Sequence, residues 1–305
     1  MGDDLKTLFL STSSNETGKY LESLACLSLG PCAMLRYDTP DETDASVYAK
    51  AKEFAPDLIV YIGGCFGKQP AVATLARINA KIAPMVHLCS DAADSPWWPL
   101  LREYHTAGAF AVQVAIDGNP AWPLADSQMT LLTPIDPDHF GGACKPHSKR
   151  EYVCGWAGNA GSEGGRRRAI LTELMLRNLL RVRMRAGEMD TYDAMCAFLG
   201  NCRMSLNIPY SGTEQAMQVK GRVIETGLAA GVLLEVKGSP TAQWFTPGVD
   251  YLEYSSMDEL IEAIKVYELQ LPEWGEEMGK RLQARVLDEH HPRVFWSKIL
   301  RRIGL

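Results

Sequence analysis

"GRVIETGLAAGVLLEVKG", residues 221–238, reads as the last turns of a helix, a glycine break and then a strand. Val219, Val223, Ile224, Gly227 and Leu228 recur at helical spacing, which predicts a helix over about 214–229. "AGVLLEVKG" (230–238) follows as an apolar run of strand type. A helix feeding a strand that is apolar along its length is the half-unit of a parallel sheet covered on both faces. Gln218, Arg222 and Glu225 share the polar stripe of that helix. An acid near a helix end, where the dipole favours cations, asks for a reason. An i,i+3 surface pair with Arg222 is a weak one, because Arg precedes Glu, the less favourable order, and such a pair is worth only about 0.2–0.5 kcal/mol. A carboxylate at that place also suits the two hydroxyls of a ribose, through two charge-assisted hydrogen bonds.

The same alternation extends in both directions. Upstream, "LKTLFLST" (5–12), "CAMLRYD" (32–38), "DLIVYIGG" (57–64), "PMVHLCSD" (84–91), "FAVQVAID" (110–117) and "MTLLTPID" (129–136) are strand candidates separated by segments long enough for crossover helices. "PDHFGGACKPHSKR" (137–150) loses periodicity and reads as a linker. The pattern restarts with "REYVCGWAGN" (150–159), the helix "GGRRRAILTELMLRNLL" (164–180) and the strand "RMSLNIP" (203–209). "YLEY" (251–254), "MDELIEAIKVYEL" (257–269) and a helical stretch over 273–303 complete it. The expected fold is α/β: two doubly wound Rossmann-like domains, over 1–140 and 150–285, with a cleft between them and a C-terminal helix (286–305) returning towards the first. A chain of 305 residues suits two such domains.

Composition narrows the function. Apolar residues make up 46% and charged residues 22%, enough for two cores, and the net charge of -6 disfavours nucleic acid or an anionic membrane as partner. Eight cysteines without a C-x-x-C pair read as free thiols in a reducing compartment, and six histidines show no metal-ligand spacing. No apolar run reaches membrane-spanning length, so a soluble cytoplasmic protein is expected. A G-x-G-x-x-G is absent after the first strand, and "GGCFGKQP" (63–70) lacks P-loop spacing, which argues against dinucleotide dehydrogenases and P-loop kinases.

The loop "GNAGSEGGRRR" (158–168) brings four glycines before three arginines at a helix start. The dipole disfavours cations there, unless a bound diphosphate faces amides, helix terminus and guanidinium groups together. The alternative is a solvated loop with Ser162 or Glu163 capping the helix. On the other half, Asp91 ends a strand in "HLCSDAADSPWW" and could serve as a general base, with Trp97 and Trp98 as sugar platforms. The alternative there is a capping Asp and two packing indoles. His87 reads as a core histidine, and "LRVRMR" (180–185) as one exposed basic face of a strand or a solvated helix end. "VFWSKILRRIGL" (294–305) reads as a helix docking back across the domains in preference to a membrane contact.

"KGRVIETGLAAGVLLE", "QWFTPGVDYLEYSSMDELIEAI", "RVLDEHHPRVFWSKIL" and "CRMSLNIPYSG" resemble the spore-maturation CgeB-like glycosyltransferases, small members of the GT-B group. The resemblance implies an enzyme moving a sugar from a nucleotide-diphosphate donor to an acceptor that is a glycan, protein or small molecule. With no D-x-D motif and no metal-ligand cluster in the sequence, it is expected to be metal-independent and without a cofactor. The resemblance assigns Glu225 to the ribose, matching the second Glu of an E-x7-E motif whose first position is Met217 here, with Glu214 out of register. Gly158, Asn159, Gly161 and Arg166 would cradle the pyrophosphate. Asn207, Ser211 and Gly212 would line the donor side. Asp91, Arg166 and Arg222 are the expected catalytic groups. A catalytically inactive nucleotide- or sugar-binding relative, or a sugar-nucleotide epimerase, are the competing readings.

Overall fold

A computed structural model describes residues 5–12, 16–27, 30–39, 42–63, 69–90, 92, 95–119, 128–141, 144–159, 165–184, 191–211, 213–270 and 273–305. The chain divides into two compact units, one formed by Met1–Asp136 with Pro292–Leu305, the other by Pro137–His291.

The first unit is a six-stranded parallel sheet in the order β2-β1-β3-β4-β5-β6. Its strands are β1 (Thr7–Ser11), β2 (Cys32–Arg36), β3 (Leu58–Ile62), β4 (Met85–Cys89), β5 (Val112–Ala115) and β6 (Gln128–Thr130). The order explains the composition of each strand. β1, β3, β4 and β5 lie inside the sheet and are buried at every position, so both faces must be apolar. β2 is an edge and alternates between exposed and half-buried residues, which lets it carry Arg36. Helices α2 (Asp44–Phe54), α3 (Val72–Lys81) and α4 (Trp98–Thr106) contribute Val47, Leu75 and Leu101 to the core on one face, against Ile59 and Met85. On the other face α1 (Glu16–Ala25) and α10 (Pro292–Ile303) pack Leu24, Phe295, Trp296 and Ile299 against Val60, Val86 and Val114. Trp296 also donates its indole N–H to Ser23 Oγ at 3.2 Å.

The second unit holds a five-stranded parallel sheet, β11-β10-β9-β7-β8. It is built from β7 (Tyr152–Gly158), β8 (Arg181–Met184), β9 (Cys202–Leu206), β10 (Val232–Val236) and β11 (Leu252–Tyr254). The basic run 180–185 therefore belongs to an edge strand, where Arg181 is exposed. Counted from its own first strand, the unit has the order 2-1-3-4-5, the same as the first five strands of the N-terminal unit. One face is packed by α5 (Arg166–Leu176) and α8 (Met257–Gln270), whose Leu171, Leu174, Leu260 and Ile264 meet Cys154, Trp156, Met204 and Leu234. The remaining helices are α6 (Tyr192–Gly200), α7 (Gly221–Leu228) and α9 (Glu273–Glu289).

The region quoted first differs in detail from its sequence reading. The helix begins at Gly221, not near 214. Residues 209–218 instead pair with one another: Ser211 N–H donates to Ala216 O at 2.8 Å and Gln218 N–H to Pro209 O at 2.9 Å. Those tertiary bonds override the helical propensity of "EQAMQ", and Gln218 is consequently not on the helix at all. α7 is buried at six consecutive residues, Val223–Leu228, because α9 covers the side turned away from the sheet. Gly227 makes that approach possible, since a Cβ there would stand 2.7 Å from Val286 Cγ2. The chain reverses at Ala230, which takes the left-handed conformation (φ 48°), so the break rests on an alanine as well as on Gly231.

The segment read as a featureless linker also has structure. It contains 3-10 turns at Pro137–Phe140 and His147–Lys149 and is anchored at Arg150. That buried guanidinium donates to the carbonyls of Lys145, Cys202 and Ala229 at 2.6–2.8 Å.

Candidate functional site

In an open α/β sheet, ligands bind outside the carboxyl ends of the strands, at the point where strand order reverses. In the second unit that point lies between β7 and β9. The loop after β7 starts at Gly158, whose φ of 145° is a glycine conformation and whose Cβ would meet the Trp156 ring at 3.3 Å. Asn159 follows; its carbonyl accepts from Arg167 NH1 at 3.0 Å. Gly161, like Ser162 and Glu163, lies outside the described residues.

The loop ends in α5, which opens with Arg166, Arg167 and Arg168, no acid in its first turn, and Gly165 as a cap without a side-chain bond. The sequence leaves the capping of this terminus to the loop itself. Instead Glu214, from the segment after β9, accepts the Arg166 N–H at 3.1 Å. A left-handed backbone at Glu214 (φ 59°) accompanies that contact. Two of the three arginines separate in role. Arg167 is structural, its NH2 also donating to Tyr210 O at 3.0 Å. Arg166 is exposed, and its guanidinium lies over the Tyr210 ring, 4.4 Å from the centroid.

Glu225 is brought to the same end of the sheet, withdrawn from water at 3% exposure. Arg222 NH1 stands 2.8 Å from its Oε2, and the Tyr192 hydroxyl donates to Oε1 at 3.1 Å. Arg222 NH2 donates to the carbonyl of Ala157, the residue before Gly158, at 2.6 Å. The Arg222–Glu225 contact is an ion pair without hydrogen-bond alignment, so NH1 remains a buried donor with no acceptor along an N–H direction. Tyr192 was not singled out from the sequence, because a single tyrosine at a helix start carries no pattern. Its burial, and then the Glu225 carboxylate, raise its pKa well above the usual phenol value, so it acts as a donor.

Asn207 is withdrawn from the surface. It is buried at the end of β9, and its amide donates to Glu235 Oε2 at 2.7 Å. Glu235 is itself fully buried and receives Thr241 Oγ1 (2.9 Å) and the Val236 N–H (2.9 Å). Burial raises its pKa to about 7 against those bonds. A glutamate inside "GVLLEV" was the available signal. Ser211 is buried in its own turn, accepting the Ala216 N–H at 3.3 Å, and Gly212 lies outside the described residues.

In the first unit Asp91 and Asp94 are outside the described residues. Trp97 and Trp98 pack against the core, and the Trp98 indole donates to Ala92 O at 3.1 Å. That arrangement matches packing indoles better than open sugar platforms. His87 is a core histidine, with Nε2 on Gly63 O at 2.8 Å, and burial lowers its pKa to about 4. His290 packs beside the rings of Trp244 and Phe245. Among the described residues no group of three or more His, Cys, Asp and Glu is placed to hold a metal ion, no helix is long and apolar enough to cross a membrane, and seven cysteines are free thiols.

Residues 163–301 match the family model described as "Glycosyl transferase-like". The whole chain is similar in fold to Anabaena HepE, solved in complex with UDP, at a TM-score of 0.67 and 16% identity over 98% of this chain and 100% of that one. An alpha-glucosyltransferase solved with UDP-glucose and DNA containing an abasic site has a TM-score of 0.64 and 10% identity, over 99% and 100% of the two chains. A glycosyltransferase from Rickettsia africae ESF-5 follows at 0.65 and 9%, over 99% and 98%. No curated protein matches by sequence. The fold, two parallel α/β sheets of six and five strands, is that of the GT-B group, and the C-terminal unit carries the match to the glycosyl transferase-like model.

Proposed function

We propose that the protein is a glycosyltransferase that takes its sugar from a nucleoside diphosphate donor, with UDP as the nucleotide, held by the unit containing residues 137–291. The observation that carries this reading is the pairing of Glu225 with Arg222 beside the carboxyl end of β7. A buried carboxylate with two acceptor oxygens stands next to a buried Arg222 N–H that is aligned on no acceptor. Those are the acceptors and the donor that a ribose diol would satisfy. The carboxylate is closed off at 3% exposure, so a ribose reaches it only after covering side chains move. The choice of UDP is supported by the ligands of HepE and of the alpha-glucosyltransferase.

The diphosphate belongs at the α5 N-terminus, beside Gly158 and Asn159. The amides of the first turn and the exposed Arg166 would neutralise the leaving group there without a metal ion. Arg222, committed inside the unit, acts on Glu225 rather than on phosphate. Asp91 keeps the role of general base towards the acceptor, supported by its place just after β4.

The test is a thermal-shift screen with UDP, GDP, CMP and dTDP. UDP at 100 times its Kd should add about 2.7 kcal/mol of stability. UDP-glucose hydrolysis by the full chain then separates a transferase from a binding protein. Absence of stabilisation by every nucleotide overturns the reading.

A further inference from the structure

The carboxylate of Glu225 is held from two sides by residues far apart in sequence. Arg222, one turn away on α7, stands at Oε2. Tyr192, the first residue of α6, donates to Oε1 at 3.1 Å. The tyrosine is in turn fixed. His139, in the segment that leaves the first unit, sets its ring edge-on against the Tyr192 ring, with centroids 4.9 Å apart and an interplanar angle of 89°. The His139 Nδ1 also lies 2.6 Å from Oδ1 of Asp193, the next residue on α6. α6 starts where its N-cap Thr191 accepts the Ala194 N–H at 3.2 Å, so the turn carrying Tyr192 is itself pinned.

We infer that Tyr192 is a positioning residue for ligand binding: its hydroxyl sets the orientation of the Glu225 carboxylate before a ribose arrives. The inference rests on the ribose role proposed for Glu225. A carboxylate free to rotate about its last bonds loses that freedom on taking a diol. One already held by a phenol and a guanidinium has lost it during folding, and the affinity gain appears on binding. Tyr192 suits this task because its ring packs edge-on against His139 while its hydroxyl reaches the Glu225 carboxylate on α7. Phenylalanine would fill the same space without the bond. The contribution of Tyr192 is therefore separable from packing.

The experiment compares UDP with 2′,3′-dideoxy-UDP, which keeps the base and diphosphate and lacks the diol. Titration calorimetry on the full chain gives the ratio of the two dissociation constants. The wild type should prefer UDP, and Glu225→Gln should remove that preference. Tyr192→Phe should weaken UDP binding by about tenfold, the loss associated with one hydrogen bond to a charged group. It should leave dideoxy-UDP unchanged, so that the ratio collapses. A purely structural tyrosine would weaken both ligands alike or neither, and that result overturns the inference. A wild type that does not distinguish the two ligands overturns the ribose reading instead, which keeps the two failures apart. If Tyr192→Phe does not fold, 3-fluorotyrosine at position 192 keeps ring and hydroxyl while strengthening the donor. The ratio should then change, and an unchanged ratio again overturns the inference.

Discussion

Arg222 and Glu225 sit one helical turn apart with their charged atoms 2.8 Å from one another and side chains only 11% and 5% exposed. On a solvated helix this pair would contribute a few tenths of a kcal/mol. Withdrawn from water, it has the energetics of a buried ion pair, in which the cost of removing one partner exceeds what the intact pair adds. Arg222→Met should therefore destabilise the protein by about 3–5 kcal/mol, because Glu225 is left buried without its cation. The double variant Arg222→Met, Glu225→Gln should recover a large part of that loss. Urea denaturation of both singles and the double checks the coupling. Additive losses would show that the two side chains do not act as a pair.

Gly227 faces the α9 side chains Leu282 and Val286. In an open helix Gly227→Ala would stabilise by about 1 kcal/mol. Here the added methyl would meet Val286 Cγ2 at 2.7 Å, and overpacking of this kind costs about 1–3 kcal/mol. The expected outcome is a net loss, measured as a lower urea midpoint. In a Val286→Ala background the space opens, and Gly227→Ala should become neutral or stabilising. A stabilising effect in the wild-type background would mean that α7 and α9 are not in contact there.

Ala230 gives the opposite sign. Its left-handed backbone (φ 48°) is strained for any residue with a Cβ. Its carbonyl accepts from His147 Nε2 at 2.8 Å, a bond that a glycine would keep. Ala230→Gly should raise stability by about 0.5–1 kcal/mol, the relief of strain outweighing the entropy added to the unfolded chain. A lower melting temperature would contradict this account.

The first-unit strands were legible because four of them are buried on both faces and so leave unbroken apolar runs, as in "DLIVYIGG" and "PMVHLCSD". Gly158 and the arginine cluster at 166–168 were legible for a related reason: a local backbone or charge anomaly stands out in one dimension. What pairs across the fold was not. The start of α7 was misplaced because bonds between Pro209 and Gln218 decide it, and no periodicity records them. Glu214 at the α5 N-terminus, Asn207 on Glu235 and Tyr192 on Glu225 are each contacts between residues at least 28 positions apart. Such partners leave only weak local signals, of which the glutamate inside an apolar strand was the clearest.

Two of the buried titratable groups, His87 and Glu235, predict opposing pH dependences. His87 has its pKa lowered from 6.5 to about 4, chiefly because burial disfavours the imidazolium. The unfolded chain then binds more protons between those values, so this group's contribution grows as pH rises from about 4 to 6.5. Between pH 7 and pH 5 it amounts to about 2 kcal/mol. His147, also lowered by burial, adds in the same direction. Glu235 behaves in reverse. Its pKa is raised from 4.5 to about 7, again chiefly by burial, so the folded state holds the extra proton. Its contribution is complete below about pH 4.5 and is lost as pH climbs through 7. In the wild type the slopes cancel in part over pH 4.5–6.5. Urea unfolding between pH 4.5 and 8 should therefore give a shallow profile. Glu235→Gln should turn it into a clear rise with pH, and His87→Gln into a fall. A rise in wild type as steep as in Glu235→Gln would show that Glu235 is ionised in the folded protein throughout. Its bonds to Asn207 and Thr241 would then outweigh the cost of its burial.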